Sequence, residues 1–222
     1  MKRKLRWMLL IAGGAALALG LLVVGILVAA RFHDGPFDGA LAIVAAGPFE
    51  SGELHTGPEP DWSFLRDHGT VEFQLLDPPR SRTTWIMEHD NRIFIVSGYM
   101  NTWYGKIWKH WPAEAEEDGR ILLRVDGTLY PRRMQRVMEG DFVRPVLDEL
   151  SRKYLGGAEV PMSEITTGNL WMFELLPRGA GQAVALRRAK GGAFVAPALL
   201  LGCASSAGST RTRRSARGEN RA

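Results

Sequence analysis

The 222-residue chain has a single cysteine, Cys203, which excludes an intramolecular disulfide and leaves the fold to be stabilised by its core. It has no P-loop, no G-x-G-x-x-G motif after a strand and no G-x-S-x-G motif, so three common phosphate-binding, dinucleotide-binding and hydrolase signatures are excluded. None of the five histidines pairs with another at the spacing of a zinc-binding motif, and no metal site is predicted.

Acidic residues are absent from residues 1–31, which carry five lysines and arginines and a charge of +5. Residues 32–177 carry 14 lysines and arginines against 23 acids, for a charge of −9. Residues 178–222 carry nine basic residues and one acid, for a charge of +8. The part of the chain that can fold is therefore acidic, and we expect no nucleic-acid partner because such binding needs basic charge on one face.

Residues 7–30 form 24 consecutive uncharged, mostly apolar positions. As a helix they extend about 36 Å, enough to cross a hydrocarbon core of about 30 Å. This predicts a transmembrane anchor in the lipid bilayer, although the sequence Val28-Ala29-Ala30 leaves signal-peptide cleavage open. Four basic residues precede the helix, so the positive-inside rule predicts a cytoplasmic N-terminus, a single-pass topology and a periplasmic or extracellular domain.

Composition divides the chain into four parts. Residues 1–31 are the predicted anchor, and the Gly- and Pro-rich residues 32–60 are a predicted linker. Residues 61–177 are the predicted domain. Residues 178–222 form a basic, low-complexity tail that we expect to be disordered.

The domain alternates short β-type segments with turn signals. Strands are predicted at residues 70–76, 82–88, 92–97, 121–125, 128–137 and 169–176, with helical stretches near 112–119 and at 141–154. Many short strands joined by hairpins favour a mainly β fold, a small antiparallel barrel with peripheral helices.

Residues 97–111, SGYMNTWYGKIWKHW, concentrate aromatic and basic side chains. Two interpretations stay open. The aromatics cap the barrel while the basic residues pair with acids, or the cluster forms a pocket for a planar anionic ligand. A pocket would need cations for a phosphate and a flat apolar wall for a ring. Candidate cations are Arg82, Lys106 and Arg133, and candidate wall residues are Trp103, Tyr104 and Trp108.

Residues 80–137 also resemble a known family. Arg82-Thr83-Thr84 leads one strand, the next ends in Ser97-Gly98, a loop carries Trp103-Tyr104 and Lys106, and a later strand carries Arg132-Arg133. This order resembles the FMN-binding split-barrel superfamily, which includes pyridoxamine-phosphate-oxidase-like and deazaflavin-dependent nitroreductase-like proteins.

The resemblance implies a split barrel, an FMN or deazaflavin (F420) cofactor, a possible oxidoreductase activity and pairing into a homodimer. The implied cofactor-binding residues are Arg82, Thr84, Ser97, Gly98, Trp103, Lys106, Trp108 and Arg133. The alternatives are a non-catalytic binding or scaffolding module of the envelope with the same fold, and haem or another planar ligand in the same groove.

Overall fold

The computed structural model of the chain describes residues 2–178. It contains one long N-terminal helix, a single sheet of short strands and four shorter helices within those residues. In chain order they are α1 (Lys2–Arg31), β1 (Glu53–Leu54), β2 (Thr70–Leu76), β3 (Pro79–Trp85), β4 (Met87–His89), β5 (Arg92–Ser97), α2 (Trp103–Trp108), α3 (Trp111–Glu117), β6 (Arg120–Val125), β7 (Thr128–Val137), α4 (Val143–Tyr154), α5 (Ser163–Thr166) and β8 (Trp171–Pro177).

The sheet curls into a barrel. Its strand order is β3-β2-β6-β7-β8-β5-β4, with antiparallel pairing along the whole path, and β1 adds in parallel to β7. The two ends of this path, β3 and β4, are consecutive in sequence and are separated only by Ile86. One bent strand therefore joins both ends of the sheet, and the predicted antiparallel barrel with peripheral helices is confirmed.

The barrel is split at Ile86. Before this residue β3 pairs with β2. After it β4 pairs with β5, and the pair nearest the bend is Met87 with Phe94. The Tyr154 hydroxyl donates to the Ile86 carbonyl (2.8 Å) and accepts from the Ile86 amide (3.0 Å), and Lys153 Nζ donates to the same carbonyl (2.7 Å). Because these bonds replace the ladder partners that the bend removes, the end of α4 holds the split open.

Alternation along β5 separates two apolar layers. Ile93 and Ile95 are buried inside the barrel with Phe73, whereas Phe94 and Val96 belong to a second buried cluster beneath α4. Helix α4, which was expected at residues 141–154, begins at Val143 and ends at Tyr154. Its apolar face covers the outer side of β4 and β5, which places α4 beside the split.

Residues 32–60, predicted as a linker, lie along the barrel in the structure. Phe49 and Leu54 pack on Leu122 and Leu129, and β1 pairs with β7. The Gly- and Pro-rich composition was the basis for predicting a linker. It could not show that the few apolar residues within the segment match an apolar patch on the outer face of the sheet.

Most strands lie at or near the positions predicted from the sequence. The single strand predicted at 82–88 is divided into β3 and β4 by the bend. β2, β5 and β7 have the predicted bounds, β6 begins one residue earlier than predicted, and β8 begins two residues later and ends one residue later. The loop predicted after Ser97 contains a short helix, α2. The tail that we expected to be disordered lies, from residue 179, outside the described residues.

Candidate functional site

A cleft of about 650 Å³ lies where β3 and β5 part. Its floor includes the aromatic rings of Phe73 and Trp111, whose centroids are 5.0 Å apart. The walls are formed by residues 82–85 of β3, residues 96–99 at the end of β5, Lys109 after α2, and Leu155, Glu159, Val160, Pro161, Glu164, Asn169 and Leu170 around α5. The cleft is thus a direct consequence of the split, and its size is that of a small-molecule site.

Arg82 projects from β3 into the side of the cleft nearest α3. Burial lowers the pKa of this guanidinium, the nearby Glu114 carboxylate opposes the shift and Arg80 adds to it. Among the described residues, its buried Nε has no hydrogen-bond partner. A buried donor without a partner is costly in a folded protein, and the described residues leave this donor of Arg82 unsatisfied.

Lys109 supplies the second cation. Its Nζ donates to the Gly98 carbonyl (2.8 Å) and lies 5.4 Å from the centroid of the Tyr99 ring. Burial lowers the pKa of the Lys109 amine. The contact with Gly98 holds the Lys109 side chain against the end of β5, on the wall of the cleft.

The loop after β5 is fixed in an unusual backbone conformation. Tyr99 has a φ of +62°, and its carbonyl accepts from the Thr102 hydroxyl at 2.7 Å. The same hydroxyl accepts from the Gly105 amide, which caps α2. A Cβ at Gly105 would lie 1.9 Å from the Tyr99 carbonyl oxygen, so glycine is required for this tight turn. The turn leaves the Tyr99 ring 58% exposed beside the cleft.

Trp85 forms the aromatic part of the β3 wall. Its ring stacks on Tyr154 with centroids 4.6 Å apart and an angle of 6° between the planes. Since Tyr154 is fixed to Ile86 through its hydroxyl, the Trp85 ring is held in place while remaining partly exposed. It offers a rigid, flat, apolar surface to a ligand.

The opposite wall, around α5, carries acids. Glu159 and Glu164 line the cleft, and Glu164 accepts a hydrogen bond from the Asn169 side chain. The cleft therefore has a cationic side at β3 and β5 and an acidic side at α5. A ligand with one anionic end would be oriented by this difference.

The predicted site residues divide into two groups. Arg82, Thr84, Ser97 and Gly98 all line the cleft, although they come from strands that do not pair with each other there. The Ser97 hydroxyl donates to the sulfur of Met100 at 3.4 Å. Four of the predicted residues are thus brought together by the split.

The other four are placed differently. Trp103 is 75% exposed, Lys106 is exposed on α2 and does not line the cleft, and Arg133 is exposed on β7 opposite Arg120. The side chain of Trp108 lies outside the described part of the structure. Sequence reasoning missed Lys109, Trp85 and Tyr99. The second lysine of KIWKHW was the available signal for Lys109, but only the rotation of α2 decides which lysine meets the cleft.

Comparisons with known proteins give distant likenesses to solved structures. No family model and no curated protein matches the chain. Among solved structures, a conserved hypothetical protein from Mycobacterium tuberculosis matches with 15% identity and a TM-score of 0.37, covering 52% of this chain and 76% of that one.

A putative pyridoxamine 5'-phosphate oxidase from Listeria innocua matches with 11% identity and a TM-score of 0.35, covering 52% and 89% of the two chains. A heme storage protein from Vibrio cholerae matches with 11% identity and a TM-score of 0.36, covering 54% and 89%. The fold is defined here by the strand pairing.

Proposed function

We propose that the cleft binds a planar, anionic redox cofactor, FMN or the deazaflavin F420, and that the chain is a membrane-anchored oxidoreductase. One observation carries the proposal. On one wall of a ligand-sized cleft lies the Arg82 guanidinium, with a buried N–H that no described residue satisfies. A phosphate oxygen is the acceptor that an arginine binds best.

The other residues of the cleft fit the same kind of group. Lys109 would add a second cation for the phosphate, and the hydroxyls of Thr84 and Ser97 lie on the same two walls. Trp85 and Tyr99 would supply the flat surface that an isoalloxazine-type ring needs. The cofactor, when bound, would supply the redox chemistry, and the protein's part would be to bind and orient it and to limit its contact with water.

Helix α1 supports the membrane part of the proposal. It is long and apolar enough to cross a bilayer, as judged by its length and composition. Basic residues precede the apolar stretch and Arg31 follows it, so the cytoplasmic side would hold the N-terminus and the outer side would hold the barrel. The cofactor would then be loaded or exchanged on that outer side.

The proposal is tested by ligand binding to the full-length chain in lipid nanodiscs. We expect FMN or F420 to bind, with a change in its visible absorption and fluorescence. Arg82→Ala removes a charged hydrogen bond worth about 1.5–3 kcal/mol, which corresponds to a Kd raised about 10- to 150-fold. Arg133→Ala is the matched control because Arg133 is exposed on β7, away from the cleft.

Three results would contradict the proposal. A folded wild-type chain that binds neither FMN nor F420 would leave the non-catalytic envelope module as the better account. Tight binding of haem, seen as a Soret band, without either flavin would identify a different planar ligand. Equal losses of flavin affinity in Arg82→Ala and Arg133→Ala would place the ligand outside the cleft.

A further inference from the structure

The last turn of α1 is fixed directly onto the barrel domain. Ala30 is fully buried, and its carbonyl accepts from the Gly47 amide at 2.7 Å. A Cβ at Gly47 would lie 2.6 Å from the Arg31 carbonyl oxygen and 2.7 Å from that of His33, so only glycine permits this approach. The helix and the domain are therefore joined by packed backbone where the sequence predicted a linker.

Residues 31–47, which we call the collar, leave the end of α1 and return to it. Within the collar, Asp34 Oδ1 lies 3.1 Å from Arg124 Nη1 on β6. Ala46 exchanges two backbone hydrogen bonds with Ser81 on β3, of 3.1 and 3.2 Å. The collar is thus held at the helix end, at β6 and at β3, and its position relative to α1 is set by these contacts.

Two large apolar side chains of the collar are exposed. Phe32 is 81% exposed and Leu41, in the 3₁₀ turn Gly39–Ile43, is 40% exposed. Arg31 stands beside Phe32 at the end of the apolar stretch of α1. Exposed aromatic and aliphatic side chains next to a basic residue are typical of segments that lie in the headgroup layer of a bilayer.

We propose that the collar docks the domain on the bilayer surface, with the side chains of Phe32 and Leu41 inserted in the interfacial layer. This inference rests on the proposed anchoring by α1, since the helix end fixes the level of the membrane surface. The lipid bilayer is the occupant because the collar is continuous with the apolar helix and is attached to its outer end.

Docking has a consequence for the cleft. Ala42, within the same 3₁₀ turn as Leu41, lines the cleft together with Thr83 and Trp85 of β3. One lip of the cleft would then rest at the bilayer surface. Molecules dissolved in the membrane would reach the cleft without crossing bulk water, whereas the α5 side of the cleft would face the aqueous phase.

The single cysteine of the chain makes a site-specific test possible. In a Cys203→Ser background, the full chain carries one further substitution, Leu41→Cys, Phe32→Cys or Gln135→Cys, labelled with a polarity-sensitive fluorophore. Gln135 is exposed on β7, far along the sheet from β3, and serves as the control. Each labelled chain is placed in nanodiscs whose lipids carry a nitroxide quencher on the acyl chain.

We expect a blue-shifted emission and strong loss of fluorescence at positions 32 and 41, and neither effect at position 135. Position 32 adjoins α1 and reports anchoring, whereas position 41 reports docking. Quenching at 32 with an unquenched, water-exposed label at 41 would overturn the docking proposal and leave anchoring intact. Absence of quenching at both, in a chain that also fails to float with vesicles, would overturn the anchoring on which docking rests.

Discussion

Replacing Arg82 with methionine should stabilise the ligand-free protein while raising the Kd for the cofactor about 10- to 150-fold. Methionine keeps most of the aliphatic volume and removes a guanidinium whose buried Nε has no partner among the described residues. Leaving a buried polar group unsatisfied costs about 1–3 kcal/mol. In the wild type, attraction between Arg82 and Glu114 offsets part of that cost. In the variant, Glu114 keeps its ion pair with Arg80.

The net expectation is a gain of about 1 kcal/mol in the free energy of unfolding, or about 2–4 °C in Tm for a domain of this size. Tryptophan fluorescence during heating of the detergent-solubilised, ligand-free chain measures it, since the chain has seven tryptophans. Arg133→Met, at an exposed position, should leave Tm unchanged. A fall in Tm of similar size for Arg82→Met would refute the reasoning, because Arg82 would then serve the fold through Glu114 and not a ligand.

Three further predictions concern the bend, the collar and the pH dependence. Tyr154→Phe removes a hydroxyl that donates a hydrogen bond to the Ile86 carbonyl and accepts one from the Ile86 amide. The substitution should lower the free energy of unfolding by about 1–3 kcal/mol. An unchanged denaturation midpoint would contradict the role assigned to α4. Gly47→Ala forces a Cβ against the backbone of Arg31, so it should cost about 1–3 kcal/mol in a thermal melt, and a neutral result would show that the helix end is not clamped. Burial lowers the pKa of Lys109 below the ordinary 10.5, so the side chain loses its charge as the pH rises through this lowered pKa. The affinity of the wild type for FMN should therefore fall as alkaline pH approaches the lowered pKa. A fall of the same size in Lys109→Gln would contradict the assignment.

The barrel could be predicted from sequence because its strands carry strong local signals. Alternation in residues 70–76, the β-branched and aromatic run of residues 92–97, and the Asp126-Gly127 turn define the strands and hairpins one at a time. The bend at Ile86 was not predicted, since Thr84, Trp85 and Ile86 all favour a continuous strand. The split depends on a distant partner, the Tyr154 hydroxyl, which no local pattern reveals.

The candidate site was only partly accessible to the same reasoning. Arg82 and Ser97, which were predicted on strands, both line the cleft, and these strands carry strong local signals in the sequence. Lys106 on α2 does not line it, because Lys106 and Lys109 differ by most of a helical turn and the segment was expected to be a loop. The collar was missed for a related reason, since its contacts depend on the absence of a side chain at Gly47.

The most direct test of the central claim compares two lysines three residues apart. FMN and F420 are titrated against the full-length wild type, Lys109→Gln and Lys106→Gln in nanodiscs, with circular dichroism to check that each variant folds. The account predicts a Kd raised about 10-fold or more for Lys109→Gln, from loss of a charged hydrogen bond, and an unchanged Kd for Lys106→Gln. Affinity that is unaffected in Lys109→Gln, or lost only in Lys106→Gln, would contradict the claim that the cleft at the split of the barrel binds the cofactor.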